Sequence, residues 1–244
     1  MIGLIGGSGL SQLEGLVLEQ QMQRETPFGE PSAPLMIGKF AGKDVAFLPR
    51  HGEHHTIPPH LINYRANIWA MHQLGVDQIL AVASVGGITE AYKPGTIALP
   101  DQLIDYSWGR ESSFASEDFS ADKHIDFTYP FDETLRQQIQ LAANIEEMTV
   151  IDGGVYAVTQ GPRLETAAEI RRLKTDGADM VGMTLMPEAV LARELNIAYA
   201  SIAIVANQAA GISSHPLTIE AILETMDATM GQVRCLLKCV IPLL

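Results

Sequence analysis

The stretch Ile-Gly-Leu-Ile-Gly-Gly-Ser-Gly (residues 2–9) joins a short apolar run to a glycine-rich turn. The apolar run, residues 2–5, predicts a buried strand. The turn after it combines a bare backbone with the Ser8 hydroxyl, so an anion can approach its main-chain N–H groups closely. It is neither a full dinucleotide motif nor a Walker motif, because a third spaced glycine and a following lysine are missing. Taken alone, the stretch is explained equally well as an anion-binding loop or as a tight turn.

Short apolar runs of this kind alternate with helical patterns along the whole chain. Further strands are predicted over residues 44–48, 78–85, 96–104, 150–158, 180–183 and 198–206. Helices are predicted over residues 61–74, 164–174, 187–195 and 218–237. Residues 108–127 are polar and acidic without periodicity, which indicates a long functional or mobile loop. The alternation predicts an α/β fold, in which a mostly parallel sheet is covered by helices on both faces.

Composition bounds the fold and its partners. Hydrophobic residues make up 47% and charged residues 18% of 244 residues, and the formal net charge is -13. This balance is typical of a globular protein with one substantial core, and no linker interrupts the chain, so we expect one domain over residues 1–244. The negative charge argues against nucleic acid or anionic membranes as partners. A few local donors can still hold a small anion.

Localisation and redox chemistry follow from what the sequence does not contain. No apolar run approaches the roughly 20 residues of a membrane span, and the start has no basic region typical of a signal peptide. We therefore expect a cytoplasmic protein. Cys235 and Cys239 are the two cysteines, and their spacing of four residues favours core packing over a disulfide framework.

Polar groups follow several of the predicted strands. Ligands of open α/β sheets bind beyond the carboxyl ends of the strands. There the sequence places hydroxyl, guanidinium, imidazole or free backbone groups at Ser8, Arg50, His51, Ala83, Ser84 and Thr184. Convergence of such donors predicts a phosphate-sized anion site.

Metal and nucleophile chemistry are not expected. His51, His54, His55 and His60 are clustered in sequence, but no cysteine or H-E-x-x-H pattern supports a zinc site. A serine nucleophile is not expected because the sequence contains no G-x-S-x-G elbow.

Seven motifs occur in the order of a known family: IGGSGL, TPFGEPS, PRHGEHHTIPPHLINYRANIWAM, VGGI, YKPGTIALPDQLID, GPRLET and GMTLMPEAVLARE. With them the chain resembles the trimeric purine nucleoside phosphorylase and methylthioadenosine phosphorylase family over essentially its whole length. The resemblance implies the nucleoside phosphorylase fold, with a mixed and partly barrel-like sheet, and a homotrimer. It also implies inorganic phosphate as co-substrate, with neither a cofactor nor a metal.

The resemblance also assigns site residues by motif. Phosphate would contact Ser8, Arg50, His51, Ser84 and Thr184, with backbone contacts at Ala83, where relatives often have threonine. Met183 would lie against the ribose. Further substrate-binding positions would be Leu164, Glu165, Asn207, Gln208 and Ala209. Leu164 stands where an aromatic residue often stacks on the base, so stacking should be weaker in this chain.

Asn207 and Glu165 predict the purine. A 6-oxopurine presents N1–H as a donor and O6 and N7 as acceptors, whereas adenine presents an N1 acceptor and an amino donor. The adenine-type members of the family carry aspartate where this chain has Asn207. The Asn207 amide can donate to O6 and accept a proton held at N7, and an ionised Glu165 can accept from N1–H. The simpler alternatives are a strand-end turn residue for Asn207 and a first-turn helix acid for Glu165.

Ile219 and Ile222 predict the 5′ substituent. Inosine-type and guanosine-type members of the family place a histidine where this chain has Ile219, and that histidine reads the 5′-hydroxyl. Apolar side chains suit a methylthio group instead, although Ile219 could simply face the core. We therefore expect phosphorolysis of S-methyl-5′-thioinosine, with Asn207 as the catalytic residue that stabilises the leaving purine.

Four other functions stay open at this point. They are phosphorolysis of methylthioadenosine, phosphorolysis of 6-oxopurine nucleosides in general, hydrolysis by a nucleosidase, and non-catalytic nucleotide binding.

Overall fold

The computed structural model describes residues 1–115, 120–213 and 218–244. Strands and helices alternate along these residues. The strands are β1 (Ile2–Gly6), β2 (Val17–Met22), β3 (Leu35–Phe40), β4 (Lys43–Pro49), β5 (Gln78–Gly87), β6 (Ile97–Leu99), β7 (Gln102–Asp105), β8 (Val150–Asp152), β9 (Val155–Val158), β10 (Met180–Gly182) and β11 (Ala198–Gln208). The helices are α1 (Tyr64–Gln73), α2 (Glu133–Ile145), α3 (Ala167–Thr175), α4 (Leu185–Glu194) and α5 (Ile219–Val240).

The strands form a mixed sheet around β5. Its main path runs β2-β3-β4-β1-β5-β10-β9-β7, and β11, β6 and β8 branch from β5. β5 pairs in parallel with β1 on one edge and with β11 along the other. The pairs β1–β4, β9–β10, β6–β8 and β7–β9 are also parallel. The predicted α/β fold with a mostly parallel mixed sheet is confirmed.

Part of this sheet closes on itself. Pairing leads from β5 through β11 to β6, and from β7 through β9 and β10 back to β5. β6 and β7 are successive parts of one segment, separated only by Pro100 and Asp101. The circuit is therefore complete, and the expectation of a partly barrel-like sheet is confirmed.

Apolar side chains cover both faces of the sheet, so β5 is buried along nearly all of its length. Its alternate residues Ile79, Ala81, Ala83 and Val85 join the layer under α1 and α4. Leu80 and Val82, which lie between them, join the layer under α2 and α5. Strand residues alternate between faces, so a strand covered on both sides reads as a continuous apolar run. Within the described residues, no helix combines the length and apolar content that a membrane span requires.

Several predicted boundaries shift for local reasons. The predicted strand 96–104 is divided at Pro100, which has no N–H to donate, and the strand 150–158 is divided where Gly153 and Gly154 adopt positive φ. α1 begins at its cap, since the Asn63 side chain accepts from the Ala66 N–H at 3.1 Å. The Thr218 cap predicted for the last helix is confirmed.

Three elements were not predicted from the sequence. The strand β2 is exposed along most of its length, and three of its six residues are polar, so a search for apolar runs does not find it. β3 and α2 complete the missing set. The predicted loop 108–127 is irregular apart from a short 3₁₀ turn, Ala121–Lys123, and its residues 116–119 lie outside the described residues.

Candidate active site

A cavity of about 300 Å³ lies at the carboxyl ends of β1, β4, β5, β10 and β11. Parallel register brings the ends of β1, β4, β5 and β11 together, since Gly6 of β1 lies opposite Pro49 of β4 and β11 follows β5 to Gly87. β10 joins them by antiparallel pairing, with Val181 opposite Gly86. Most residues that the sequence assigns to the site line this cavity: Ser8, Arg50, His51, Ala83, Ser84, Leu164, Glu165, Met183, Thr184, Asn207, Ala209 and Ile222.

Two assigned residues do not line it. Gln208 lines a neighbouring cavity instead. Ile219 is the first residue of α5 and is 60% exposed, so it faces neither this cavity nor the core. Ile222, one turn further along α5, lines the cavity. Within this chain, Ile222 therefore lies where it can contact a ligand in the cavity and Ile219 does not, and both assignments stay predictions.

Arg50 is fully buried beneath the cavity and is held by an ion pair. Its Nε and Nη2 donate to the two oxygens of Glu188 at 3.0 and 2.8 Å, and Nη1 donates to the Val82 carbonyl at 2.5 Å. The Tyr199 hydroxyl donates to the same carboxylate at 2.7 Å. Burial alone would lower the pKa of Arg50, but the charge of Glu188 and its hydrogen bonds to Arg50 together outweigh burial and raise that pKa. The guanidinium is therefore charged and fixed in orientation.

This pairing decides how an anion can be held. A guanidinium has five N–H groups, and protein atoms among the described residues engage three of those of Arg50. The remaining two are available to a ligand in the cavity. Because Glu188 balances the charge of Arg50, an anion depends on hydrogen-bond donors more than on net charge. Thr184, the N-cap of α4, makes no side-chain cap hydrogen bond, so its hydroxyl can serve as one of them.

His51 lies in the cavity wall as a neutral ring. Its Nδ1 is 2.8 Å from the Ile57 carbonyl, which can only accept, so we infer that Nδ1 carries the proton and Nε2 a lone pair. The pKa of His51 is lowered to about 4, first because burial penalises the charged form and second because Arg50 is positive. Near neutral pH His51 therefore adds an acceptor rather than a positive charge.

A bulge in β11 places Asn207. Val205 pairs with Val85 and Asn207 with Gly86, so Ala206 is an extra residue on the β11 side. A side chain at Gly86 would crowd the Asn207 amide, since a Cβ there would lie 3.2 Å from Nδ2. The Nδ2 donates to the Gln208 carbonyl at 2.8 Å, which leaves one N–H and the amide oxygen for a ligand. Asn207 lies within β11, so it is not a strand-end turn residue.

Glu165 is prepared as an acceptor on the same cavity. The Thr159 hydroxyl lies 2.6 Å from Glu165 Oε1 and 3.3 Å from the Gly182 carbonyl. Because the hydroxyl has one proton and Glu165 is nearer, it donates its hydrogen bond to Glu165. The other carboxylate oxygen remains for a ligand. Glu165 precedes the Thr166 cap of α3, and Glu169 completes the capping box. Glu169 therefore has the first-turn role considered for Glu165.

Arg110 supports the cavity wall from a segment to which the sequence assigns no role. Its guanidinium donates to the carbonyls of Met183, Met186 and Gln160 at 2.7, 2.6 and 2.8 Å. These contacts tie the 108–115 segment to the backbone that carries Met183. Nothing local in the sequence distinguishes Arg110, Glu188 or Tyr199, because their partners are distant along the chain.

The clustered histidines do not assemble into a metal site in the described part of the chain. The centroids of the His51 and His55 rings are 4.4 Å apart and the rings are tilted by 38°. Neither histidine belongs to a group of three potential ligands in that part of the chain. The expectation of no metal at this site stays a prediction.

Comparisons with known proteins agree with this geometry. The sequence profile of the Phosphorylase superfamily matches residues 1–241. A probable S-methyl-5′-thioinosine phosphorylase of Pseudomonas syringae pv. tomato is 50% identical over 98% of this chain and 97% of its own length. A probable 6-oxopurine nucleoside phosphorylase of Thermococcus kodakarensis is 45% identical over 97% and 90%. The solved methylthioadenosine phosphorylase of Schistosoma mansoni in complex with adenine superposes with a TM-score of 0.94 at 33% identity, covering 99% of this chain and 91% of that one.

Removing Glu188 tests the buried ion pair. We expect Glu188→Ala to lower the free energy of unfolding by about 3–5 kcal/mol, because it leaves Arg50 buried without its counter-charge. Tyr199→Phe should cost about 1–2 kcal/mol, since only one hydrogen bond to Glu188 is lost. Urea unfolding measures both, with the exposed Glu224→Ala as the control. A loss below about 1 kcal/mol for Glu188→Ala would contradict the arrangement.

His51 should make the protein sensitive to acid. An unfolded histidine has a pKa near 6.5, and the folded value is about 4. As the pH falls between these values, only the unfolded chain binds the proton, so stability falls by up to about 3 kcal/mol. His51→Gln should flatten this decline in unfolding experiments, and exposed His54→Gln should not. An unchanged slope in His51→Gln would disprove the linkage.

Proposed function

Because this chain belongs to the phosphorylase superfamily, we propose that it catalyses the phosphorolysis of S-methyl-5′-thioinosine. The products are hypoxanthine and 5-methylthioribose 1-phosphate, which places the reaction in purine and methylthio-nucleoside salvage. The observation that carries this proposal is the pairing of Asn207 and Glu165 on one cavity wall, each with hydrogen-bonding groups left for a ligand. The relatives named probable S-methyl-5′-thioinosine phosphorylase support it.

Phosphate occupies the end of the cavity near Arg50. The two available guanidinium N–H groups, the hydroxyls of Ser8, Ser84 and Thr184 and the backbone at Ala83 provide donors. The Nε2 lone pair of His51 accepts a hydrogen bond from the P–O–H group of monohydrogen phosphate. A neutral imidazole can accept this bond and an imidazolium cannot. Phosphate held in this way is close to C1′ and needs no other activation.

The reaction exchanges one bond at C1′ for another. A phosphate oxygen forms its bond to C1′ as the bond from C1′ to purine N9 breaks, and the bonding pair leaves with the purine. Positive charge develops on the sugar beside the phosphate, and negative charge develops on the base. Asn207 donates to O6, where that charge accumulates, and its amide oxygen accepts a hydrogen bond from the proton that N7 takes up from water. The proton of monohydrogen phosphate passes to solvent as the dianionic phosphate ester forms, so the protons balance. Neither a covalent intermediate on the protein nor a cofactor is part of this scheme.

Hydrogen-bond polarity selects the base. Glu165 accepts a hydrogen bond from the Thr159 hydroxyl at one oxygen, so its remaining oxygen is an acceptor for N1–H of a 6-oxopurine. The N1 of adenine has no proton to offer, and its amino group cannot accept from the Asn207 amide. Unpaired polar groups in a closed site are costly, which gives large discrimination.

The 5′ end selects the substituent. Ile222 lines the cavity close to the N-terminus of α5 and offers an apolar contact without a hydrogen-bonding group. A methylthio group loses nothing there, whereas a 5′-hydroxyl would lose its hydrogen bonds to water. Ile219 is exposed in this chain, so it would contact the 5′ substituent only of a substrate bound by another subunit of the proposed trimer.

A second candidate function is phosphorolysis of 6-oxopurine nucleosides in general. Asn207 and Glu165 recognise only the base, so they serve inosine and guanosine equally well, as the name of the Thermococcus kodakarensis relative suggests. Discrimination between the candidates depends on the 5′ pocket alone.

The homotrimer and the absence of a cofactor remain proposals that follow from the family resemblance. The cytoplasmic location and the single domain over residues 1–244 remain proposals that follow from the sequence composition.

A side-by-side assay tests the proposed reaction. Methylthioinosine, methylthioadenosine and inosine are each supplied with and without phosphate, and release of free base is measured. We expect kcat/KM to be highest for methylthioinosine, and release to require phosphate. Equal rates with inosine would favour the second candidate, and a preference for methylthioadenosine would contradict the base assignment. Release without phosphate would indicate a nucleosidase, and no release at all a binding protein.

Asn207→Asp tests the base contact. An aspartate carboxylate cannot donate to O6, so kcat/KM for methylthioinosine should fall about 100-fold or more, and preference should shift toward methylthioadenosine. Gln208→Glu is the matched control, because it adds a negative charge at the next residue, which lines the neighbouring cavity. An unchanged base preference in Asn207→Asp would remove Asn207 from this role.

A further inference from the structure

Two cysteines and one carboxylate converge on the surface near the C-terminal end of α5. Cys235 Sγ donates to Glu146 Oε2 at 3.2 Å, and Cys239 Sγ donates to Oε1 of the same carboxylate at 3.0 Å. The cysteines are four residues apart on one face of α5, and Glu146 is the C-cap of α2. Across the described ranges, this is the one group of three or more histidine, cysteine or acidic side chains whose ligand atoms all lie within 4.8 Å of one another.

Core packing, which the sequence predicts for these cysteines, does not account for the arrangement. Cys239 does pack against the apolar layer under α5. Both cysteines are nevertheless partly exposed, and Glu146 is exposed. Two thiols that both turn toward one carboxylate at the surface form a set of donors that a cation can reach from solvent.

We propose that Cys235, Cys239 and Glu146 bind a thiophilic divalent cation of the Zn²⁺ type, with water as the fourth ligand. Each thiol loses its proton to solvent as the cation binds, and the carboxylate binds as it stands. No atom changes its oxidation state. Two thiolates and one carboxylate then carry three negative charges, so their complex with the dication has a net charge of -1.

The distances suit a tetrahedral ion. With about 2.3 Å to sulfur and about 2.1 Å to oxygen, tetrahedral angles give about 3.6 Å between sulfur and oxygen ligands. In the structure the two sulfur atoms contact different oxygens of Glu146, at 3.2 and 3.0 Å, and both Sγ atoms and one carboxylate oxygen lie within 4.8 Å of one another. Small rotations of these side chains would bring both sulfur atoms to about 3.6 Å from one carboxylate oxygen. Ligands at i and i+4 on one helix hold a single zinc ion in the H-E-x-x-H arrangement, so the spacing is suitable.

The site should stabilise the fold without taking part in the reaction. It joins the end of α2 to α5, and α2 and α5 pack together over the same apolar layer. Cys235 is about 20 Å along α5 from Ile222 in the cavity wall, given the rise of a helix. Thiolate ligands also predict selectivity, because Mg²⁺ and Ca²⁺ prefer oxygen ligands.

Cobalt titration of the fully reduced whole protein tests the proposal. We expect one equivalent of Co²⁺ to produce thiolate-to-cobalt charge-transfer absorption, and Zn²⁺ to displace it while Mg²⁺ does not. Cys235→Ser with Cys239→Ser should abolish the absorption, since the chain has two cysteines. Glu146→Gln, which keeps both thiols, should weaken binding at least tenfold. The matched control is Glu147→Gln, a neighbouring carboxylate outside the cluster, which should bind as the unmodified protein does.

Thermal unfolding gives a second readout. Zn²⁺ at about 100 times its Kd should raise Tm by about 5–10 °C in the unmodified protein and not in the double cysteine variant. The proposal is overturned if the reduced protein gives no charge-transfer band, or if the band persists without the cysteines. It is also overturned if Glu147→Gln weakens binding as much as Glu146→Gln.

Discussion

The buried ion pair between Arg50 and Glu188 is the constraint on which the rest of the site depends. A guanidinium without exposure to water is tolerated only when its charge is balanced and its N–H groups are bonded. Glu188, Tyr199 and the Val82 carbonyl meet that need, and they come from α4, β11 and β5. The pair therefore fixes three elements around the end of β4, and it leaves two N–H groups of Arg50, which lines the cavity, without a partner among the described residues.

The groups proposed to recognise the purine, Asn207 and Glu165, are also held in place by hydrogen bonds to the protein. The bulge at Ala206 and the bare backbone of Gly86 let Asn207 reach the cavity wall, and its neighbour Gln208 fixes the amide through a main-chain carbonyl. Thr159 fixes Glu165 in a similar way. Asn207 and Glu165 thus each make one hydrogen bond to the protein, and their other donors and acceptors are left for the purine. Discrimination between bases comes from this preorganised polarity, because a mismatched base would leave these groups unpaired.

The sequence predicts the residues that stand at strand ends and misses those that hold them. Ser8, Arg50, Ser84 and Asn207 follow or end apolar runs, and in a parallel sheet those ends meet, so their convergence could be foreseen. Glu188 and Tyr199 could not be assigned, since Glu188 is 138 residues from Arg50 and lies in an apolar helix pattern. Strand β2 was missed because it is exposed and half polar, so it contains no continuous apolar run. Ile219 illustrates a third limit, since a one-turn difference on α5 decides that Ile222 lines the cavity and Ile219 does not.

The most direct measurement is a crystal structure of the protein with hypoxanthine and phosphate bound. The account predicts the Asn207 amide at O6 and N7 and a Glu165 oxygen at N1, at about 2.7–3.2 Å, with phosphate against the two available N–H groups of Arg50. A complex in which the Asn207 and Glu165 side chains point away from the purine, or in which phosphate lies elsewhere, would contradict it.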